Sequence, residues 1–256
     1  MTSDNGPVST TKNTNKKKKA VHDYNEAPRL GDRYAAVLDL QISGDPVKGR
    51  SARTNAKLRR SVLDLLSSEG LDALTIARIT ENAGVAVGTF YLHYENTTDL
   101  TLEVFKGYTE HDVRPALPLS PDSGDRTGEM VRDFLEIVAS FRHRRKFLGA
   151  MFELRRREKR ANEIWLNMSK VWAETLSTVA DKKGTVSPIF RDLVGHAASC
   201  FTDEFLTRIY IDEIFGEEYA DDSKNDIEIA EFLALCRHRL LFGSDPTPSL
   251  PSQEKR

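Results

Sequence analysis

Residues 75 to 94, TIARITENAGVAVGTFYLHY, constrain the fold of this chain more than any other stretch. Thr75 is a helix N-cap residue type, set directly before Ile76, Ile79 and Ala83, which fall on one helical face. Gly84 ends that run, since glycine takes the left-handed backbone that closes helices. A second short helix is predicted from near Val85, over about 86–93, with Phe90 facing inward. Two short helices joined by a tight glycine turn predict a helix-turn-helix, whose second helix fits the major groove of DNA.

The flanks extend the pattern. Leu58, Val62, Leu65 and Leu66 predict a helix starting near Arg53 and stopped at Gly70. Leu71 and Leu74 anchor the turn before Thr75. Asn96 caps a further helix, with Asp99 three residues on in a capping-box-like position; Leu100, Val104, Phe105 and Tyr108 carry it to about Arg114. Pro115, Pro118, Pro121 and Gly124 then mark a linker. Beyond it, five helix-periodic segments are carried by Val131–Val138, Phe147–Phe152, Ile164–Val179, Pro188–Ile209 and Ile227–Leu240. Strand patterning is nearly absent. The expected fold class is all-α: an N-terminal three-helix helix-turn-helix domain over 51–114, then a larger helical domain over 115–242. Residues 243–256 read as a flexible tail.

The first 50 residues read as a mostly disordered basic extension, with the run Lys16, Lys17, Lys18, Lys19. Leu30, Tyr34, Val37 and Leu38 are compatible with a short amphipathic helix near 30–41 inside it. A length of 256 residues suits one small domain and one larger one. The net charge of −2 requires that any DNA-binding charge be local. No apolar run approaches the ~18 residues of a membrane span, and no secretory signal is visible. Two widely spaced cysteines, Cys200 and Cys236, argue against a disulfide framework and for a reducing cytoplasm. No metal-spaced His/Cys/Glu set, phosphate-cradling glycine loop or nucleophile motif is present, so neither an enzyme, a metal nor a cofactor is expected.

The string AGVAVGTFYLHYENTTDL, Ala83 to Leu100, resembles the DNA-binding signature of the TetR family of transcriptional regulators. That signature reads close to A-G-V-S-x-G-T-F-Y-x-H-F, followed by a polar turn and another helix. The resemblance is specific from about Leu58 to Leu102; past residue 115 only the helical architecture matches. It implies that Val87, Gly88 and Thr89 enter the major groove, that Tyr91 and His93 meet the DNA backbone, and that Thr75 offers its hydroxyl and helix N-terminus to a phosphate. Three positions depart from the family: Ala77 stands where some members carry a base-reading Arg, Thr80 where a small Ala is usual, and Thr97 where a phosphate-binding Lys is common. Arg78 is the one Lys or Arg between Thr75 and Tyr94. The missing charge is expected from Arg50, Arg53, Lys57, Arg59 and Arg60, and from Lys16 to Lys19 as a minor-groove arm, unless that run is only a solubilising tail.

The resemblance also implies a sensor behind the DNA-binding unit, answering an apolar or amphipathic small molecule. Phe134, Phe141, Met151, Trp165, Met168, Trp172, Phe201 and Phe205 are the candidate pocket residues, although aromatics at helical spacing equally suit plain core. His196, Cys200 and Asp203 are candidate polar contacts. The basic clusters at 142–146 and 155–160 are either solvated faces or a seat for an anionic ligand such as a CoA thioester. The last two helices, about 188–215 and 226–242, are expected to pair two copies across a two-fold axis. The implied function is a homodimeric repressor released from a palindromic double-stranded operator by its ligand. A DNA-binding dimer without an effector, and an activator, remain alternatives. No membrane partner is expected.

Overall fold

A computed structural model describes residues 32–44, 49–113, 126–180 and 187–243, and every regular element among them is helical. Lys16 to Lys19, the proline linker and residues 244–256 lie outside the described residues. Helix α1 is Asp32–Ser43 and α2 is Arg50–Ser68, which begins at Arg50, slightly ahead of the expected Arg53. A 3-10 turn, Leu71–Ala73, leads to α3, Ile76–Ala83. There the Thr75 hydroxyl accepts the Arg78 N–H at 3.3 Å, and Gly84 closes the helix at φ 63°, ψ 42°. A side chain at Gly84 would be strained in that left-handed conformation. Thr80 is buried, yet its hydroxyl donates to the Ile76 carbonyl at 2.8 Å, so its polar atom is satisfied.

Helix α4, Val87–Phe90, is a single turn; residues 91–93, expected to be helical, form a turn instead. Helix α5 is Thr97–His111, capped by the Asn96 side-chain oxygen, which accepts the Asp99 N–H at 2.9 Å. It ends short of the expected Arg114. The remaining helices are α6 Arg126–His143, α7 Arg145–Arg157, α8 Lys159–Ala180, α9 Pro188–Tyr210, α10 Glu217–Asp221 and α11 Asp226–Phe242. Pro188 opens α9 where its missing N–H costs nothing, and the Ser187 hydroxyl accepts the Phe190 N–H at 3.3 Å. The short α10 between the last two long helices was not signalled by periodicity.

Helix α5 joins the two halves. Leu100, Val104 and Phe105 are buried with Leu58, Val62 and Leu66 of α2, and the rings of Phe105 and Tyr108 meet Phe147 of α7 at 5.6 and 4.7 Å. An ion pair and a hydrogen bond reinforce the junction: Arg160 of α8 pairs with Asp99 of α5 at 2.7 Å, and the Lys146 ammonium of α7 donates to the Ser68 carbonyl at the end of α2 at 2.7 Å.

The amphipathic helix expected near 30–41 is real but is not part of a loose extension. Tyr34 and Leu38 of α1 are fully buried, the Leu38 burial contributing roughly 1.5–3 kcal/mol. The Tyr34 ring stacks on His111 of α5 at 5.6 Å. The Asp112 carboxylate accepts the backbone N–H groups of Arg33 (3.1 Å) and Tyr34 (3.3 Å), satisfying two donors at the start of α1. Asp39 and Gln41 engage Arg60 and Arg59 of α2 at 3.0 Å each, and Asp32 pairs with Arg144 at 2.7 Å. The helix is therefore clamped at once to α2, α5 and the α6–α7 junction.

Candidate functional site

Two faces and one cavity stand out. The first face belongs to α3 and α4. Thr75, Val87, Gly88 and Tyr91 are exposed along it, and Thr89 and His93 are half-buried at its edge. Phe90 is fully buried beneath and meets the Tyr91 ring edge-on at 5.5 Å, which holds the tyrosine outward. A Cβ built on Gly88 would meet no protein atom within 4 Å, so nothing inside the fold demands glycine there. The space a side chain would fill lies outside the protein. Leu92, which the sequence reading passed over, is 81% exposed beside Tyr91. The frame is rigid: the buried Tyr94 hydroxyl accepts from the Asn55 amide of α2 at 2.6 Å and donates to Glu103 of α5. Burial and the adjacent Glu103 carboxylate push the Tyr94 phenol well above its usual range, so it stays protonated.

The cations are distributed differently from the sequence expectation. Arg78 is engaged by both carboxylate oxygens of Glu69, at 2.8 and 2.5 Å. Arg59 and Arg60, expected to supply phosphate contacts, are held by side chains of α1, as described above. Arg50, Arg53 and Lys57 remain at the N-terminal end of α2; Arg53 donates to the Gly44 carbonyl at 3.3 Å.

The cavity, of about 160 Å³, opens between α5, α6, α8, α9 and α11. Phe141, Met151, Trp165, Met168 and Trp172 line it, as expected. Phe134, Phe201 and Phe205 do not. Phe134 is buried beneath the Arg237 guanidinium, which lies 3.8 Å over its ring. Phe201 and Phe205 stack on each other at 5.6 Å and on half-exposed Phe232, on the outer side of α9 and α11. Of the three polar candidates, Asp203 lines the cavity, whereas His196 and Cys200 are exposed elsewhere on α9. Sequence reasoning missed Arg237, Asp133 and Arg33. Arg237 could have been found: it falls in the buried stripe Ala230, Leu233, Ala234 and Leu241, where a cation is out of place. Burial pushes the Asp203 carboxyl up to about 7 and that of Asp133 up to about 6, and it lowers Arg237 to about 10, partly offset by the two aspartates.

The basic clusters are mostly spent on internal pairs, not gathered at a cavity mouth. Arg142 binds Asp226 through two nitrogens at 2.8–3.1 Å, Arg145 reaches Glu213, Glu217 and Asp221, and Arg157 and Lys159 pair within their own helices. Arg155 lies over the Phe152 and Trp165 rings at 5.4 and 4.8 Å.

The second face is apolar. Ile189, Phe190 and Leu193 of α9 and Ile227, Phe232 and Leu240 of α11 are all exposed. Both helices also bury other residues in the core, and charged residues such as Asp192, Arg208, Glu228 and Arg239 share their exposed sides. Exposed apolar side chains in number mark an interaction surface. No group of His, Cys, Asp and Glu suited to a metal occurs among the described residues, and no described helix is long and apolar enough to cross a membrane.

Residues 62–104 match the family model for bacterial regulatory proteins of the tetR family. That segment runs from the middle of α2 through α3 and α4 into α5, the elements that build the first face. No curated protein matches the chain. The matched segment, folded as a helix-turn-helix with Val87, Gly88 and Tyr91 exposed, is a DNA-binding domain of the tetR-family type and supports a DNA-binding transcriptional regulator.

Proposed function

We propose that the protein acts as a cytoplasmic homodimeric repressor that leaves a palindromic operator when a small molecule enters the cavity. The observation that carries this reading is the composition of the cavity wall. It includes Arg33 of α1 and Asp112 just past α5, which tie α1 to α5, and Tyr108, whose ring packs α5 on Phe147 of α7. A ligand that displaces any of them shifts α1 and α5, and α4 moves with α5. In a dimer built through the outer face of α9 and α11, two α4 helices must stand about one DNA turn (~34 Å) apart to read two half-sites. Binding that changes this separation favours the free state over the DNA-bound state, and the ligand's preference for one state sets how far the equilibrium moves.

Thr89 and Tyr91 then carry the contacts of α4 to base edges and phosphate, with Val87 and Gly88 admitting the duplex closely. Arg50, Arg53 and Lys57 supply phosphate charge. The test begins with selection of duplexes from a random pool by the purified protein. Enrichment of an inverted repeat, bound by two copies and released by members of a metabolite panel, is the expected result. Enrichment without release by any member would favour a dimer regulated by other means.

A further inference from the structure

We infer that the cavity takes a small hydrophobic carboxylate, whose two oxygens dock on the Nε–Nη2 edge of Arg237 while its apolar body lies against Trp165, Trp172, Phe141 and Met151. The inference rests on the ligand-responsive reading and names the chemistry of that ligand. Arg237 is 4% exposed, and its Nε and Nη2 are buried without a hydrogen-bond partner. These two nitrogens form the side edge of the guanidinium, whose parallel N–H groups match a carboxylate in a bidentate pair. The guanidinium plane is already fixed by its seat 3.8 Å over the Phe134 ring.

The sign of the ligand follows from which groups lack partners. Around the cavity these are Arg237 Nε and Nη2, Arg33 Nη1 and the Ser169 hydroxyl. The arginine nitrogens are donors only, and leaving buried donors unmet is costly. A cationic ligand would bring more donors and leave them unmet; a carboxylate brings acceptors alone. Asp133 and Asp203 also face the cavity, and both are held protonated more readily than ordinary aspartates by burial. An incoming anion is therefore met by carboxyls able to take up a proton in place of two fixed negative charges. Glu136 is exposed, and the Asp112 carboxylate is already occupied by the start of α1. Size narrows the class: a cavity of ~150 Å³ accepts benzene, so one of about 160 Å³ suits a ligand with a short or single-ring body.

The experiment uses the full chain and three matched pairs: hexanoate with hexanamide, benzoate with benzamide, and phenylacetate with phenylacetamide, together with benzylamine. Trp165 and Trp172, the chain's two tryptophans, both line the cavity, so their fluorescence reports occupancy directly. At least one carboxylate is expected to bind roughly tenfold or more tightly than its amide. Arg237→Met should remove that preference while retaining amide binding, which shows that the cavity persists. If Arg237→Met fails to fold, the wild-type ratio of carboxylate to amide decides the matter. Equal or tighter binding of the amides or the amine, or no saturable binding of any carboxylate at millimolar concentrations, overturns the inference. Release of the selected duplex is measured separately. A carboxylate that binds with the stated preference but leaves DNA affinity unchanged keeps the ligand class and refutes ligand-driven release.

Discussion

Gly107→Ala tests whether α1 is built into the body of the protein. A Cβ at Gly107 would sit 2.2 Å from Tyr34 Cζ and 2.4 Å from Cε2 and Oη. Carbon atoms rest comfortably at ~3.5–4.0 Å, so the ring would have to retreat by more than ~1 Å. It is fully buried and flanked by His111, so it can retreat only by lifting α1. Overpacking of this kind costs roughly 1–3 kcal/mol, while replacing glycine inside a helix gains about 1 kcal/mol. In the wild-type background the change should therefore be neutral to destabilising, by up to about 2 kcal/mol. In a Tyr34→Ala background, itself destabilised by roughly 3–5 kcal/mol, the clash is gone and Gly107→Ala should stabilise by about 1 kcal/mol. Urea denaturation of the four chains measures the difference, an interaction energy of roughly 1–3 kcal/mol. The same effect of Gly107→Ala in both backgrounds would show that Tyr34 does not occupy the space above Gly107, and the clamp would have to be abandoned.

Further outcomes follow from the same contacts. Tyr91→Phe together with Thr89→Ala should weaken duplex binding with no change in thermal midpoint; undiminished affinity in a fluorescence-anisotropy titration would remove the contact assignment. Leu193→Glu with Phe232→Glu should yield monomers by sedimentation while the helical circular dichroism persists, and an unchanged dimer would move the interface elsewhere. Asp203 has a folded pKa of about 7, above its ordinary value, so the folded chain retains a proton that the unfolded chain has released. Its contribution to stability is therefore lost as pH rises from about 4 to about 7. Asp203→Asn should gain stability relative to wild type between pH 5 and pH 8, and parallel melting curves across that range would contradict the burial argument.

The DNA-binding unit was legible because its boundaries are written in local residue types. Thr75, Gly84 and Asn96 cap or stop helices through atoms of their own neighbourhoods. The length of α4 was not, since nothing in Tyr91, Leu92 or His93 forbids another helical turn. The docking of α1 depends on partners far along the chain: Asp112 lies 78 positions from Tyr34. A periodic stripe announces such a helix but not what covers it. In the second half of the chain, periodicity located the helices but could not separate three destinations for an aromatic ring. Phe134 went under a buried arginine, Trp165 to the cavity and Phe205 to the outer face. The basic runs misled for a related reason: charge density in sequence does not reveal the carboxylates that folding brings to Arg142 and Arg145.

Two proposed roles stand or fall together: DNA reading by the α3–α4 face and its control from the cavity. The most direct measurement is anisotropy of a labelled duplex, taken from the pool selected by this protein, with and without a saturating carboxylate that quenches Trp165 and Trp172. Sequence-specific binding that needs Thr89 and Tyr91 is expected, with an affinity that falls by roughly 5–150-fold when the cavity is filled. Binding to random duplexes as tight as to the selected one would contradict the first half, and an affinity indifferent to cavity occupancy would contradict the second.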